Sequence, residues 1–207
     1  MGYWNSKLGV SGETWANIAP ATTGQYDAVI NGATVTQNGM VFAKTTDHVQ
    51  IPIPTELKST TSATFEMRMR SDGGFNNGYA DLVNQDGREL IWIGPYELVL
   101  SGIFDTYKYR DHKYIPIKNP LRLIYITITA DLTNGRITAY LYDPLTGDIE
   151  SDGYTTDIGT IADGDFVWLS RTQTPHSGIM DGIRIYNRVL TQEEIARNWA
   201  VGIELGI

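Results

Sequence analysis

The plainest signal in the chain is a period of two. In Ala63-Thr-Phe-Glu-Met-Arg-Met-Arg70, apolar residues alternate with polar ones. Such spacing puts Ala63, Phe65, Met67 and Met69 on one face of a strand and Glu66, Arg68 and Arg70 on the other. Leu121 to Ala130 and Arg136 to Tyr142 carry the same signal on both sides of Asn134-Gly135. That dipeptide supplies the positive φ angles of a tight hairpin turn. Ile124, Ile126, Ile128, Ile137, Ala139 and Leu141 make an apolar face. Tyr125, Thr127, Thr129, Thr138, Tyr140 and Tyr142 make a half-polar, aromatic one.

Shorter runs predict further strands at Ala28–Val35, Met40–Ala43, Val49–Ile53, Asp81–Asn84, Glu89–Ile93, Glu97–Leu100 and Phe166–Leu169. Pro52 and Pro54 predict that the Val49 strand ends early or lies on an edge. Near the end, Ile179, Asp181, Ile183 and Ile185 alternate with Met180, Gly182, Arg184 and Tyr186. This predicts a strand with one face apolar except for Asp181. A carboxylate on such a face needs backbone N–H groups or a cation as partner, because an unpaired buried charge is costly. Thr191 with Glu194 is a capping box that opens a helix, and Leu190 is placed to staple onto Ile195. Trp199 is then expected to anchor Ala200 to Ile207 to the body. Trp92 and Trp168 fall in strand patterns, and at least one is expected to be buried.

Composition narrows the function classes. The chain has 207 residues, 21 glycines, no cysteine and a net charge of −8. This length suits one all-β domain, residues 1–207, with a core large enough to need no disulfide. The acidic balance disfavours nucleic acid and anionic lipid. No apolar run is long enough for membrane insertion as a helix. The start, Met-Gly-Tyr-Trp-Asn-Ser, lacks the basic-then-apolar order of a signal peptide.

The stretch Gly-x-x-Asp-x-Ile-Arg-Ile-Tyr-Asn-Arg-x-Leu-Thr-x-Glu-Glu-Ile, Gly178 to Ile195, resembles the closing strand and helix of laminin-G-like domains. These belong to the concanavalin A-like lectin/glucanase superfamily. Thr64-Phe-Glu-Met67 also matches that family's central strand. The pattern departs at Gly182, where the family usually carries an acidic residue. The resemblance implies an all-β, two-sheet antiparallel jelly-roll sandwich with one short C-terminal helix. It also implies calcium shared between the first loop and the closing strand, which here would fall to Asn17, Asp27 and Asp181. The family loop usually carries an aspartate near Asn17. The other reading of Asn17 and Asp27 is turn hydrogen bonding. Ser11 to Pro20 is similar to phage or prophage surface proteins, which implies an extracellular or virion-surface location.

Candidate chemistry is sparse. His48, His112 and His176 show no zinc spacing, and no nucleophile elbow is present. Asp148-Ile-Glu-Ser-Asp152 sets acids on one strand face, but its order and place differ from the catalytic Glu-x-Asp-x-Glu strand of superfamily glucanases. It is expected to be a solvated hairpin face. Ile103 to Ile117 interleaves Phe104, Tyr107, Tyr109 and Tyr114 with basic residues. It reads as a strand pair or as a platform that stacks sugars. Tyr125, Tyr140 and Tyr142 would line the sheet on which a ligand lies. The expectation is a non-catalytic, lectin-like module that binds cell-surface or cell-wall carbohydrate. The alternative is a structural protein that meets protein partners in a virion or surface assembly. A glycoside hydrolase is the third reading, and it requires two carboxylates flanking a groove.

Overall fold

A computed structural model describes residues 2–5, 8–20, 23–58, 60–71, 81–83, 89–93, 97–100, 113–116, 121–155, 166–170 and 177–204. The strands are β1 (Gly2–Asn5), β2 (Val10–Ser11), β3 (Thr14–Trp15), β4 (Ala28–Asn31), β5 (Thr34–Thr36), β6 (Gly39–Phe42), β7 (His48–Pro52), β8 (Ser62–Ser71), β9 (Asp81–Val83), β10 (Glu89–Ile93), β11 (Glu97–Leu100), β12 (Lys113–Pro116), β13 (Ile124–Asp131), β14 (Arg136–Tyr142), β15 (Ile149–Thr155), β16 (Phe166–Leu169) and β17 (Gly178–Tyr186). One helix follows, α1 (Gln192–Glu204).

An eight-stranded antiparallel sheet runs β15-β14-β13-β8-β17-β6-β5. Its eighth strand, β1, pairs with the second half of β17, while β6 pairs with the first half. Opposite lies a five-stranded sheet, β16-β7-β4-β3-β2. A four-stranded sheet, β12-β11-β10-β9, meets it where β9 runs beside β16. The architecture is the expected two-layer antiparallel sandwich with a short C-terminal helix.

The core lies between the layers. Phe65, Met67 and Met69 of β8 and Ile126 and Ile128 of β13 pack with Trp15, Ile30, Val49 and Ile51 of the opposite sheet. All six apolar positions of the β13–β14 hairpin are buried, as the alternation requires. Burying each large apolar side chain contributes about 1.5–3 kcal/mol. The hairpin turn is longer than a two-residue Asn-Gly link. Asp131 pairs with Arg136, so Leu132 to Gly135 form the loop, and Gly135 sits at φ 60°.

Two predicted elements change. Ala28–Val35 is not one strand: it breaks at Gly32, whose φ is 78°, and its halves β4 and β5 join different sheets. A Cβ on Gly32 would lie 2.5 Å from Asp47 Oδ1, so only glycine fits beside that buried carboxylate. Asp47 Oδ2 accepts the N–H groups of Ala43 and Lys44 and closes the turn before β7. β7 ends at Pro52 but is flanked by β4 and β16, so proline ends the strand without making it an edge.

The capping box forms as read. Glu194 N–H donates to Thr191 Oγ1 (3.2 Å), and Thr191 N–H donates to Glu194 Oε2 (3.0 Å). Arg188 adds a bidentate pair to the same carboxylate at 2.8 and 2.7 Å. That contact and the Thr191 cap hold Glu194 at a pKa of about 2. Leu190 and Ile195 are both buried in one cluster with Trp199.

Candidate functional site at the bulge of the closing strand

The site is built on the outer face of the eight-stranded sheet, the side away from the core. Thr64, Glu66, Arg68 and Arg70 of β8 point there, next to Tyr125, Thr127 and Thr129 of β13. Glu66 and Arg68, expected to face solvent, are only 5 and 7 % exposed. Their cover is α1. Trp199 stacks on Tyr142 with ring centroids 4.9 Å apart and planes 5° apart. Its indole N–H donates to Thr127 Oγ1 at 3.2 Å. Trp199 lies within α1 and anchors that helix to the sheet, and residues 205–207 of the segment it was expected to hold lie outside the described residues.

The closing strand β17 carries the decisive irregularity. Met180 pairs with Met69 and Gly182 pairs with Arg68, which are adjacent on β8. Asp181 is the extra residue, a β-bulge. Bulges break the period of two and re-aim a side chain. Met180 therefore joins Ile183 and Ile185 in the core, while Ile179 and Asp181 line the outer face. This corrects the uninterrupted alternation read from sequence, which put Ile179 and Asp181 with Ile183 and Ile185. β6 runs close against the first half of β17, beside the bulge. A Cβ on Gly39, at φ 127°, would lie 2.6 Å from Ile179 Cγ2 and 3.0 Å from the Met180 carbonyl oxygen.

Asp181 meets the Arg68 guanidinium in an ion pair buried to 1 and 8 % side-chain exposure. Arg68 Nη1 also donates to the Tyr125 hydroxyl (3.2 Å) and to the Gly202 carbonyl of α1 (3.5 Å). The cation that the aspartate requires is thus a side chain.

Beyond Arg68 the face divides. Under α1, Glu66 Oε2 accepts from Asn198 (2.9 Å) and from the Tyr186 hydroxyl (3.1 Å), with Arg184 3.7 Å away. Burial raises the Glu66 pKa, against the opposing pull of Arg184, Tyr186 and Asn198. Burial and the Glu66 charge push the Tyr186 hydroxyl up as well. Arg184 lies over the Tyr3 ring, 4.7 Å from its centroid. Two carboxylates, Glu66 and Asp181, thus balance two guanidiniums, Arg68 and Arg184. A cavity of only about 30 Å³ remains among them.

On the other side the face is open. A cleft of about 550 Å³ is lined by Arg68, Arg70, Arg122, Tyr125, Leu145 and Asp181, with Asn38 at one edge. Arg122 is 3.5 Å from Asp143 and its side chain is 41 % exposed.

The expected binding tyrosines are distributed differently. Tyr125 is buried, and Tyr140 and Tyr142 pack against the α1 cluster. The ring face once expected to be open is roofed, because a half-apolar strand face needs cover and the apolar stripe Leu190, Ile195 and Trp199 supplies it. Of these three described tyrosines, Tyr125 alone also reaches the cleft. Tyr107 and Tyr109 lie outside the described residues, as do the rest of the basic-aromatic run before Lys113, the glycine-rich loop at 72–80 and the side chains of Trp92 and Trp168.

The calcium ligands implied by resemblance are also otherwise engaged. Asn17 Oδ1 accepts the N–H groups of Tyr3 (2.8 Å) and Ala19 (3.1 Å), and its amide donates to Gln25 O (2.9 Å). Asp27 Oδ1 accepts the Asn17 N–H at 2.9 Å. Asn17 and Asp27 come together, and they organise the loop by turn hydrogen bonds. Calcium takes about six to eight oxygens, and these three side chains as placed do not fit it. No group of three or more His, Cys, Asp or Glu suited to a metal occurs among the described residues. Asp148 to Asp152 is an edge with Asp148, Ser151 and Asp152 exposed, a solvated hairpin face as expected.

Comparison places this geometry among known folds. Trypanosoma rangeli sialidase in complex with sialic acid superposes with a TM-score of 0.63 at 16 % identity, over 94 % of this chain and 32 % of the sialidase. The shared fold is an antiparallel β-sandwich. The binding domain of botulinum neurotoxin serotype D aligns with a TM-score of 0.62 at 14 % identity, over 98 % of this chain and 52 % of that one. The binding domain of botulinum neurotoxin DC in complex with SialylT aligns with a TM-score of 0.66 at 10 % identity, over 97 and 50 %. The chain therefore spans about a third to a half of these proteins. No family model matches it, and no curated protein matches it by sequence.

The bulge was within reach of sequence reasoning. An isolated glycine inside a strand pattern, here Gly182, marks a bulge or a close backbone approach. Asp181 was conspicuous alone on its strand, whereas Arg68 read as one of three outward polar residues, and only the pairing of β8 with β17 joins the two.

Proposed function

We propose that this domain is a non-catalytic carbohydrate-binding module whose ligand lies in the cleft beside the Asp181 bulge. The supporting observation is the cleft itself. Its volume of about 550 Å³ falls in the ~300–1,000 Å³ range of small-ligand sites. Its lining mixes guanidinium and amide donors with the Tyr125 ring and the apolar Leu121, Leu145 and Ile179. Sugars present the same mixture of hydroxyls and apolar ring faces. Two of the similar folds are solved with sialic acid or SialylT. Among its described lining residues the cleft has one carboxylate, Asp181, which Arg68 neutralises. A two-carboxylate hydrolysis has no second partner there. The surface of a cell or virion is the setting that suits such a module. A glycan array run with calcium and with chelator tests the reading. Binding in both conditions is expected, and flat signals across host and bacterial-wall glycans would overturn it.

A second reading, a structural element of a virion or surface assembly, draws on Leu145 and Ile149, which are 73 and 58 % exposed. Light scattering separates the two. A stable trimer or larger species without saccharide affinity favours assembly, and a monomer that binds sugar favours the module.

A further inference from the structure

The cleft carries a charge that the closed half does not. Arg184 answers Glu66, and Arg68 answers Asp181. Arg122 reaches Asp143 at 3.5 Å, in a half-exposed and loose pair. Arg70, two residues beyond Arg68 on the outer row of β8, is exposed, and its side chain has no ion-pair or hydrogen-bond partner among the described residues. Its neighbour across the strands is apolar, since Arg70 pairs with Ile179 of β17. A surplus guanidinium at the mouth of a cleft is notable on a chain of net charge −8. The acidic surface repels anions in general, so local positive charge must select an anion that also fits the cleft.

Resting on the carbohydrate reading above, we infer that the cleft takes an acidic sugar and that Arg70 holds its carboxylate. A guanidinium presents a planar fork of N–H donors that matches a carboxylate in a bidentate pair. Arg122, which lines the same cleft, adds positive potential. Leu121 and Leu145, exposed by 64 and 73 %, offer apolar contact to the ring or glycerol carbons beside that carboxylate. Asn38, in the β5–β6 turn, offers an amide to hydroxyls. Arg68 stays with Asp181 and shapes the floor. This division of labour separates the arginine that holds the sheet from the arginine that meets ligand.

Isothermal titration with 3′-sialyllactose, its methyl ester and lactose tests the inference on the wild type, Arg70→Ala and Arg70→Lys. A sulfated lactose serves as a further arm. Arg70 is exposed, so both variants should keep the wild-type circular dichroism and melting temperature. The acid is expected to bind the wild type about 10- to 100-fold more tightly than its ester or lactose, the range of a hydrogen-bonded charge. Arg70→Ala should erase that preference, and Arg70→Lys should restore part of it. The preference should shrink as salt rises. Equal binding of acid, ester and lactose would overturn the carboxylate assignment and leave the carbohydrate reading intact. Wild-type affinity in Arg70→Ala would overturn the role of Arg70. Tighter binding of the sulfated sugar than of the carboxylated one would overturn the choice of anion. Binding of none of the four probes, with a flat glycan array, would sink both readings together.

Discussion

Asp181→Asn keeps the shape of the bulged side chain and removes its charge. The consequence follows from burial. Arg68 has only 8 % of its side chain exposed. With a neutral neighbour, the guanidinium would remain in a site closed by Tyr125 and by the α1 backbone. Breaking a buried pair by neutralising one partner costs about 3–5 kcal/mol, whereas an exposed pair is worth about 0–1 kcal/mol. For a domain of this size, each kcal/mol shifts the melting temperature by roughly 2–4 °C. The expected fall is therefore about 6–20 °C, and urea unfolding should show a lower midpoint at an unchanged slope. Asp181→Asn combined with Arg68→Met should recover much of the loss, because an apolar side chain of similar volume needs no counter-charge. A single-variant loss below about 1 kcal/mol would place the pair in the solvated class. That result would refute the argument that the bulge exists to bury Asp181 against Arg68.

Three other outcomes follow from neighbouring groups. Burial raises the Glu66 pKa above its unfolded value, so the native state binds the proton more readily and this contribution weakens as pH rises through the raised value. The wild type should gain stability relative to Glu66→Gln as pH falls from 7 towards 4.5, and parallel melting curves across that range would contradict it. Trp199→Ala should cost about 3–5 kcal/mol and bring faster amide exchange in α1; exchange unchanged from the wild type would mean that the helix is held by other contacts. Millimolar calcium should leave the melting temperature where chelator leaves it, since Asn17 and Asp27 are spent on backbone N–H groups. A calcium-dependent rise would restore the metal reading.

Much of the sandwich was legible because its signals are local. The alternation of Ala63 to Arg70 located the central strand and its core face. Thr191 and Glu194 located the start of α1 and its reciprocal hydrogen bonds. What escaped depends on residues far apart in sequence. Nothing within Glu66, Arg68 or Tyr125 tells that a helix more than sixty positions away will cover them, so they read as solvent-facing. Once α1 is laid over the face, the polar row becomes a balanced buried network and the tyrosines become its walls. The period of two also fails at its own exceptions: one extra residue at Asp181 turned Ile179 away from the core and brought Met180 in. The break at Gly32 was hidden in the same way, because Ala28 to Val35 is apolar enough for one strand while its glycine sends the chain to the other layer.

The cleft beside the bulge is the centre of the functional account, and its occupancy can be read residue by residue. Titrating isotope-labelled protein with a saccharide chosen from the array, and following backbone amide shifts, tests it directly. Perturbations should gather at Asn38, Arg70, Leu121 to Leu123, Leu145 and Ile179, leaving Asn17 and Asp27 still. Shifts confined to residues 103–112, or spread along the exposed β15 edge, would place the ligand elsewhere and contradict the account.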